Sequence, residues 1–194
     1  MLCSTTSALL IAVALVASGA GHAQAVDPAD PIRALTTVLA GQGARAPAAE
    51  AVRAAVERSF DVEGLARGVL AGLAAGATPR QLDRFRRALA GRIARDLRGR
   101  LRTDQRWTLD IVQTREIGPE EWLETSRVTV SGKGARTIAW RVRSAGGKAV
   151  IVDVLGNGTS MIRTLHNDYD AALRRFGLDG VIDRMEASTR VGRG

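Results

Sequence analysis

WTLDIVQTREIGPEEWLETSRVTVSGKGARTIAWRVRSAGGKAVIVDVL, residues Trp107–Leu155, decides the fold class. Trp107, Leu109 and Ile111 alternate with polar residues, as do Val128 and Val130, then Ile138, Trp140 and Val142. A period of two is the pattern of a strand with one face buried. Gly132-Lys133-Gly134 and Gly146-Gly147 supply turns between successive strands. The next run, Ala149–Leu155, is apolar at nearly every position, Asp153 being the exception. It reads as a central strand covered on both faces. Four antiparallel strands are predicted.

Outside this block the period lengthens to that of a helix. Thr78-Pro79-Arg80-Gln81 places a cap, a first-turn proline and a capping-box glutamine in order. Leu82, Phe85, Leu89, Ile93 and Leu97 then form one apolar stripe on a long helix ending near Leu101. Further upstream, Pro31–Ala40 carries Ile32, Leu35 and Leu39 on one face. Gly41–Ala46 reads as a loop, and Pro47 opens a helix running to about Phe60. Asp61 caps a helix over Val62–Leu73. Downstream, Gly156-Asn157-Gly158 turns the chain, Asn167 caps Asp168–Phe176, and Gly177 separates it from a last helix, Leu178–Ala187. Helices, a run of strands and more helices give an α+β domain.

The N-terminus reads as a secretory signal over residues 1–25, leaving one domain, 26–194. Leu9–Val16 is an apolar core too short to span a bilayer, and Ala23-Gln24-Ala25 fits a signal-peptidase site. No later stretch reaches membrane-spanning length. Cleavage there would remove Cys3, the single cysteine, so disulfides and thiolate metal sites are excluded from the expected mature chain. It would also remove His22 and leave His166 as the one histidine. The removed segment carries no charged side chain, so the mature chain keeps the net charge of +8. Between Arg80 and Arg106 lie ten arginines against three aspartates, so nearly all the excess sits in that stretch, most of it on the long helix. That helix is either a surface for anionic lipid or an acidic partner, or simply a solvated face in an arginine-rich chain. Export and the scarcity of aromatics disfavour nucleic acid.

Catalytic signals are thin. Ser160, His166 and Asp153 or Asp168 are the components of a hydrolase triad, but no Gly-x-Ser-x-Gly elbow surrounds Ser160. Glu116, Glu120, Glu121 and Glu124 read as a solvated acidic patch. No catalytic residue, metal site or resident cofactor is expected, and the chain does not read as an enzyme.

An ordered series of segments resembles a known family. It runs from Trp140-Arg141-Val142-Arg143 through Val150-Ile151-Val152-Asp153-Val154-Leu155 to Gly158-Thr159-Ser160-Met161-Ile162. Asn167-Asp168-Tyr169 and Phe176-Gly177-Leu178-Asp179-Gly180-Val181-Ile182 follow, and Phe60–Leu70 with Thr78–Phe85 match upstream. The chain resembles the MlaC, or toluene-tolerance, family of periplasmic phospholipid-binding proteins, auxiliary to ABC transporters. It departs from the family pattern at Leu73-Ala74-Ala75-Gly76, at Lys148-Ala149 and at Thr159.

The resemblance implies helices packed on a curved, mainly antiparallel four-stranded sheet enclosing an apolar cavity. It implies a periplasmic shuttle that carries phospholipid as cargo and helps maintain outer-membrane lipid asymmetry. The implied partners are an inner-membrane ABC transporter's substrate-binding (MCE-type) subunit and an outer-membrane lipoprotein complex. The candidate lipid-binding residues are Val69, Leu70, Leu73, Phe85, Leu89, Ile93, Trp140, Val152, Val154, Met161 and Ile162. Two rival readings stand beside it: a hopanoid-associated carrier of the same family, and a basic adaptor without a cavity that docks on anionic surfaces.

Overall fold

The computed structural model describes residues 26–41, 47–100 and 106–191. The expected signal segment, the loop at 42–46 and the expected helix end at Leu101 lie outside these. Among the described residues four helices precede the sheet: α1 (Asp30–Ala40), α2 (Ala49–Ser59), α3 (Val62–Val69) and α4 (Pro79–Arg100). The strands are β1 (Trp107–Gly118), β2 (Glu121–Val130), β3 (Gly134–Ala145), β4 (Lys148–Gly156) and β5 (Thr159–Ser160), and α5 (Met161–Val191) closes the fold. Among the described residues, no helix is long and apolar enough to cross a membrane.

The strands form one antiparallel sheet in sequence order, β1-β2-β3-β4-β5. The fold is the expected α+β class with a curved, unclosed sheet. The two-residue β5 makes five strands where four were expected, pairing Thr159 and Ser160 with the end of β4. Gly146 and Gly147, both with positive φ, turn β3 into β4. Two left-handed residues in a two-residue loop match the twist of the strands they join.

The predicted caps form. Thr78 Oγ1 accepts from the Gln81 amide at 3.2 Å, and the Gln81 side chain accepts from the Thr78 amide at 2.9 Å, completing the reciprocal box. Asp61 accepts from the Gly64 amide at 2.8 Å and also receives Arg143 at 2.6 Å, tying α3 to β3. The Asp61 amide donates to the Ile151 carbonyl at 2.9 Å, which fixes the α2–α3 junction on β4.

Three expectations are corrected. The α3 helix stops at Val69, not Leu73. The helix before Gly177 begins at Met161, not after Asn167, because Asp153 and Ser160 cap it, while the break at Gly177 is where the sequence places it. Asp153 Oδ1 accepts from the Ile162 amide at 3.3 Å, and Ser160 Oγ from the Arg163 amide at 3.2 Å. Glu124 is not solvated: it has no exposed surface, flanked on β2 by Thr114 of β1 and Trp140 of β3.

The core lies between the helices and the sheet. Ile32 and Leu35 of α1, Val52 and Val56 of α2, Leu65 and Val69 of α3, and Phe85 and Leu89 of α4 are fully or almost fully buried. They pack with Val142 and Ile151 of the sheet and with Val181 and Ile182 of α5. A bulge at Val152 lets Trp140 pair with Val154 while Val142 pairs with Ile151, three residues away. One extra residue in β4 re-aims its side chains.

Candidate functional site

A cavity of about 420 Å³ lies between the C-terminal half of α4, the β3–β4 end of the sheet and the first turns of α5. Pockets for small ligands are typically about 300–1,000 Å³, so this one holds the size of a chain or ring system rather than a single water. Its inner wall is apolar: Phe60, Ile93, Trp140 and Leu165 are each buried, and Leu97, Ile138, Val154 and Met161 are half-buried against the core.

The Trp140 ring is held by its own polar handle. Its Nε1–H donates to Ser126 Oγ at 2.8 Å, and that hydroxyl donates on to the Ile138 carbonyl at 3.3 Å. Ser126 has no exposed surface, so the bond satisfies a buried indole and fixes the ring's orientation at the wall. Behind that wall, Glu124 sits opposite Trp140 on the neighbouring strand. Burial pushes its carboxyl above the ordinary carboxylate value, and the Thr114 hydroxyl, which donates to Oε2 at 3.0 Å, opposes this.

The rim is polar. Arg92 and Asp96 of α4, Asn157 and Thr159 of the β4–β5 turn, and Thr164 and Asp168 of α5 surround the opening. Arg92 Nε donates to Asp96 at 2.6 Å and Nη1 to the Tyr169 hydroxyl at 3.3 Å, bridging α4 to α5. Burial raises the Tyr169 phenol above its ordinary value, with Arg92 partly opposing, so the phenol stays neutral as an acceptor. Its ring meets Phe85 edge-on, with centroids 6.1 Å apart.

Of the eleven candidate residues, Ile93, Trp140, Val154 and Met161 line the cavity. Val69, Leu70, Phe85 and Leu89 lie within the packed core instead. Leu73 is half-buried beyond the end of α3, Val152 sits at the bulge, and Ile162 packs against Gly68. Phe60, Leu97, Ile138 and Leu165 are lining residues absent from the sequence-based set. Leu97 and Ile138 carried a signal, one ending the α4 stripe and the other alternating with Trp140. Leu165 had none, because the sequence places the start of its helix three residues later, at Asp168.

The components of the imagined triad face different tasks. Ser160 and Asp153 cap α5, and His166 Nδ1 lies 3.0 Å from the Val69 carbonyl. Among the described residues, no group of three or more His, Cys, Asp or Glu could hold a metal ion. The α4 arginines are largely engaged. Arg84 meets Asp183 at 2.7 Å and Glu186 at 2.9 Å, Arg86 and Arg87 share Asp83, and Arg92 and Arg95 share Asp96.

The model of the MlaC protein family matches residues 33–187. The chain belongs to the MlaC family. Its fold is that of a solved phospholipid-binding protein from Ralstonia solanacearum, a structure in complex with a phospholipid. The TM-score is 0.67 at 16% identity, over 85% of this chain and 98% of that one. No curated protein matches the sequence. The family match runs from α1 through most of α5 and so contains every residue of the cavity wall.

Proposed function

We propose that this MlaC-family chain is a periplasmic phospholipid carrier and that the cavity between α4, α5 and the sheet receives acyl chain. The apolar wall carried by Ile93, Trp140, Val154 and Met161, opening through a polar rim, is the observation that supports it. Each methylene left in water costs about 0.8 kcal/mol, so a sixteen-carbon tail pays roughly 12 kcal/mol to cross an aqueous gap unaided. A carrier lowers that barrier by offering apolar surface to the tail while leaving the head group wet. Family membership and the phospholipid held by the Ralstonia protein favour the same reading.

Residues 1–25 act as the export signal in this proposal, and 26–194 as the carrier. Its partners are the MCE-type subunit of an inner-membrane ABC transporter and an outer-membrane lipoprotein complex, and any energy input belongs to them. The basic-adaptor alternative needs unengaged arginines on α4, and the pairing of Arg84, Arg86, Arg87, Arg92 and Arg95 runs against it.

Native mass spectrometry of the purified protein tests the proposal. It is expected to record a copurifying phospholipid, and Met161→Trp, which adds bulk at a half-buried wall position, is expected to reduce the loaded fraction severalfold without loss of the folded state by circular dichroism. A protein that carries no lipid from the cell and takes none from vesicles would overturn it.

A further inference from the structure

The rim of the cavity has a charge pattern that the chain as a whole does not share. The protein carries a net +8. Yet among the described residues the charged ones at the opening are one arginine, Arg92, and two aspartates, Asp96 and Asp168. Arg95, which touches Asp96 from behind at 3.6 Å, brings the local balance only to zero. The remaining rim groups, Asn157, Thr159 and Thr164, are neutral.

The two signs are also distributed unequally in what they have left to offer. Asp96 is committed to Arg92 at 2.6 Å and to Arg95. Arg92 uses Nε on Asp96 and Nη1 on the Tyr169 hydroxyl. A guanidinium has five N–H donors, so further ones remain for an incoming phosphate oxygen. Asp168 is exposed on the first half of α5 and makes no ion pair among the described residues. A group that fits this rim brings an anion for Arg92 and a cation for Asp168.

From this we infer that the rim selects zwitterionic, ammonium-bearing phospholipid head groups over purely anionic ones, with Asp168 receiving the ammonium and Arg92 the phosphate. The inference rests on the carrier proposal and specifies its cargo. An anionic head group would meet Asp168 with nothing to offset it, whereas a zwitterion satisfies both. The site is wet, so the discrimination is that of an exposed ion pair, up to about fivefold.

The test is competitive loading. Delipidated protein is incubated with vesicles of equimolar phosphatidylethanolamine and phosphatidylglycerol of identical acyl chains, and the bound lipids are counted by native mass spectrometry. The expected result is a bound ratio two- to fivefold in favour of the ethanolamine lipid, falling to near unity in Asp168→Asn. Asp170→Asn removes the same charge two residues away, from a carboxylate paired with Arg174 and not on the cavity wall, and is expected to keep the preference. Loading at the vesicle ratio, or an equal shift in both variants, overturns the inference while leaving the carrier proposal standing. A wild-type protein that loads neither lipid overturns both.

Discussion

Glu124 is the residue whose replacement the structure predicts most sharply. Its side chain has no exposed surface, Oε2 holds one hydrogen bond from Thr114 at 3.0 Å, and Oε1 is buried with no hydrogen-bond partner among the described residues. A buried acceptor left unmade costs about 1–3 kcal/mol, and more when it is charged. Glu124→Gln keeps the shape and an oxygen for Thr114 but removes the charge. The exchange recovers the desolvation of a carboxylate, and that outweighs one weakened charge-assisted hydrogen bond and the amide N–H groups left where Oε1 has no partner, a net gain of about 1–2 kcal/mol at neutral pH. For a chain of this size that raises Tm by about 2–8 °C.

The pH dependence gives the prediction its specificity. Burial raises the folded-state carboxyl above its ordinary value near 4.5, helped by Asp27 and opposed by Thr114 and Arg33. In the window above 4.5 the native state therefore holds the proton more tightly than the unfolded chain. The unfolded state binds fewer protons there, so the wild-type protein loses stability from this group as pH rises through its elevated folded value. Glu124→Gln lacks that loss. Urea unfolding of both proteins between pH 4 and pH 8 should show a stability difference that is smallest at the acid end and levels off once the wild-type carboxyl ionises. A difference independent of pH, or a variant less stable at pH 8, would refute the reasoning.

Two further perturbations follow from α5. Arg84→Met removes the cation that Asp183 and Glu186 share, at 2.7 and 2.9 Å, and should lower Tm by a few degrees in dilute buffer. The penalty should shrink in 1 M salt, where the screening length falls to about 3 Å, and a salt-independent loss would assign the role to packing instead. Gly177 has φ 65° and ψ 176°, a region closed to side-chain-bearing residues although its surroundings are open. Gly177→Ala should therefore cost about 1–3 kcal/mol from backbone strain alone, read by urea unfolding, and a neutral substitution would contradict that.

Local chemistry was legible in the sequence wherever it was enough to define an element. The Thr78–Gln81 box, the Asp61 cap and the Gly146-Gly147 turn each act within a few residues, and each forms as read. The start of α5 was misplaced because one of its caps, Asp153, comes from a sheet strand nine residues before the amide it receives. The burial of Glu124 depends on which strands flank β2, which residue type and period do not state. The cavity divides along the same line. Phe85, Leu89, Ile93 and Leu97 form one stripe in sequence, yet the first two face packed core and the last two an opening. What separates them is the element opposite, not anything in the stripe itself.

The arginines of α4 carry that argument to its functional end. A count along the chain finds a strong positive excess between Arg80 and Arg106, and by itself it points to an anionic surface. The count cannot see Asp179, Asp183 and Glu186, about a hundred residues later, which α5 lays against Arg84. Asp83 and Asp96 each take two more arginines within α4 itself. Three α4 arginines thus reach α5, Arg84 through its acids, Arg92 through Tyr169 and Arg95 through Ser188, and α5 in turn supplies Met161, Leu165 and Asp168 to the cavity. Charge that looked like a docking signal is, in the folded chain, part of what builds the wall of the site. Salt should accordingly act on this protein through the α4–α5 contact as well as through any surface it meets.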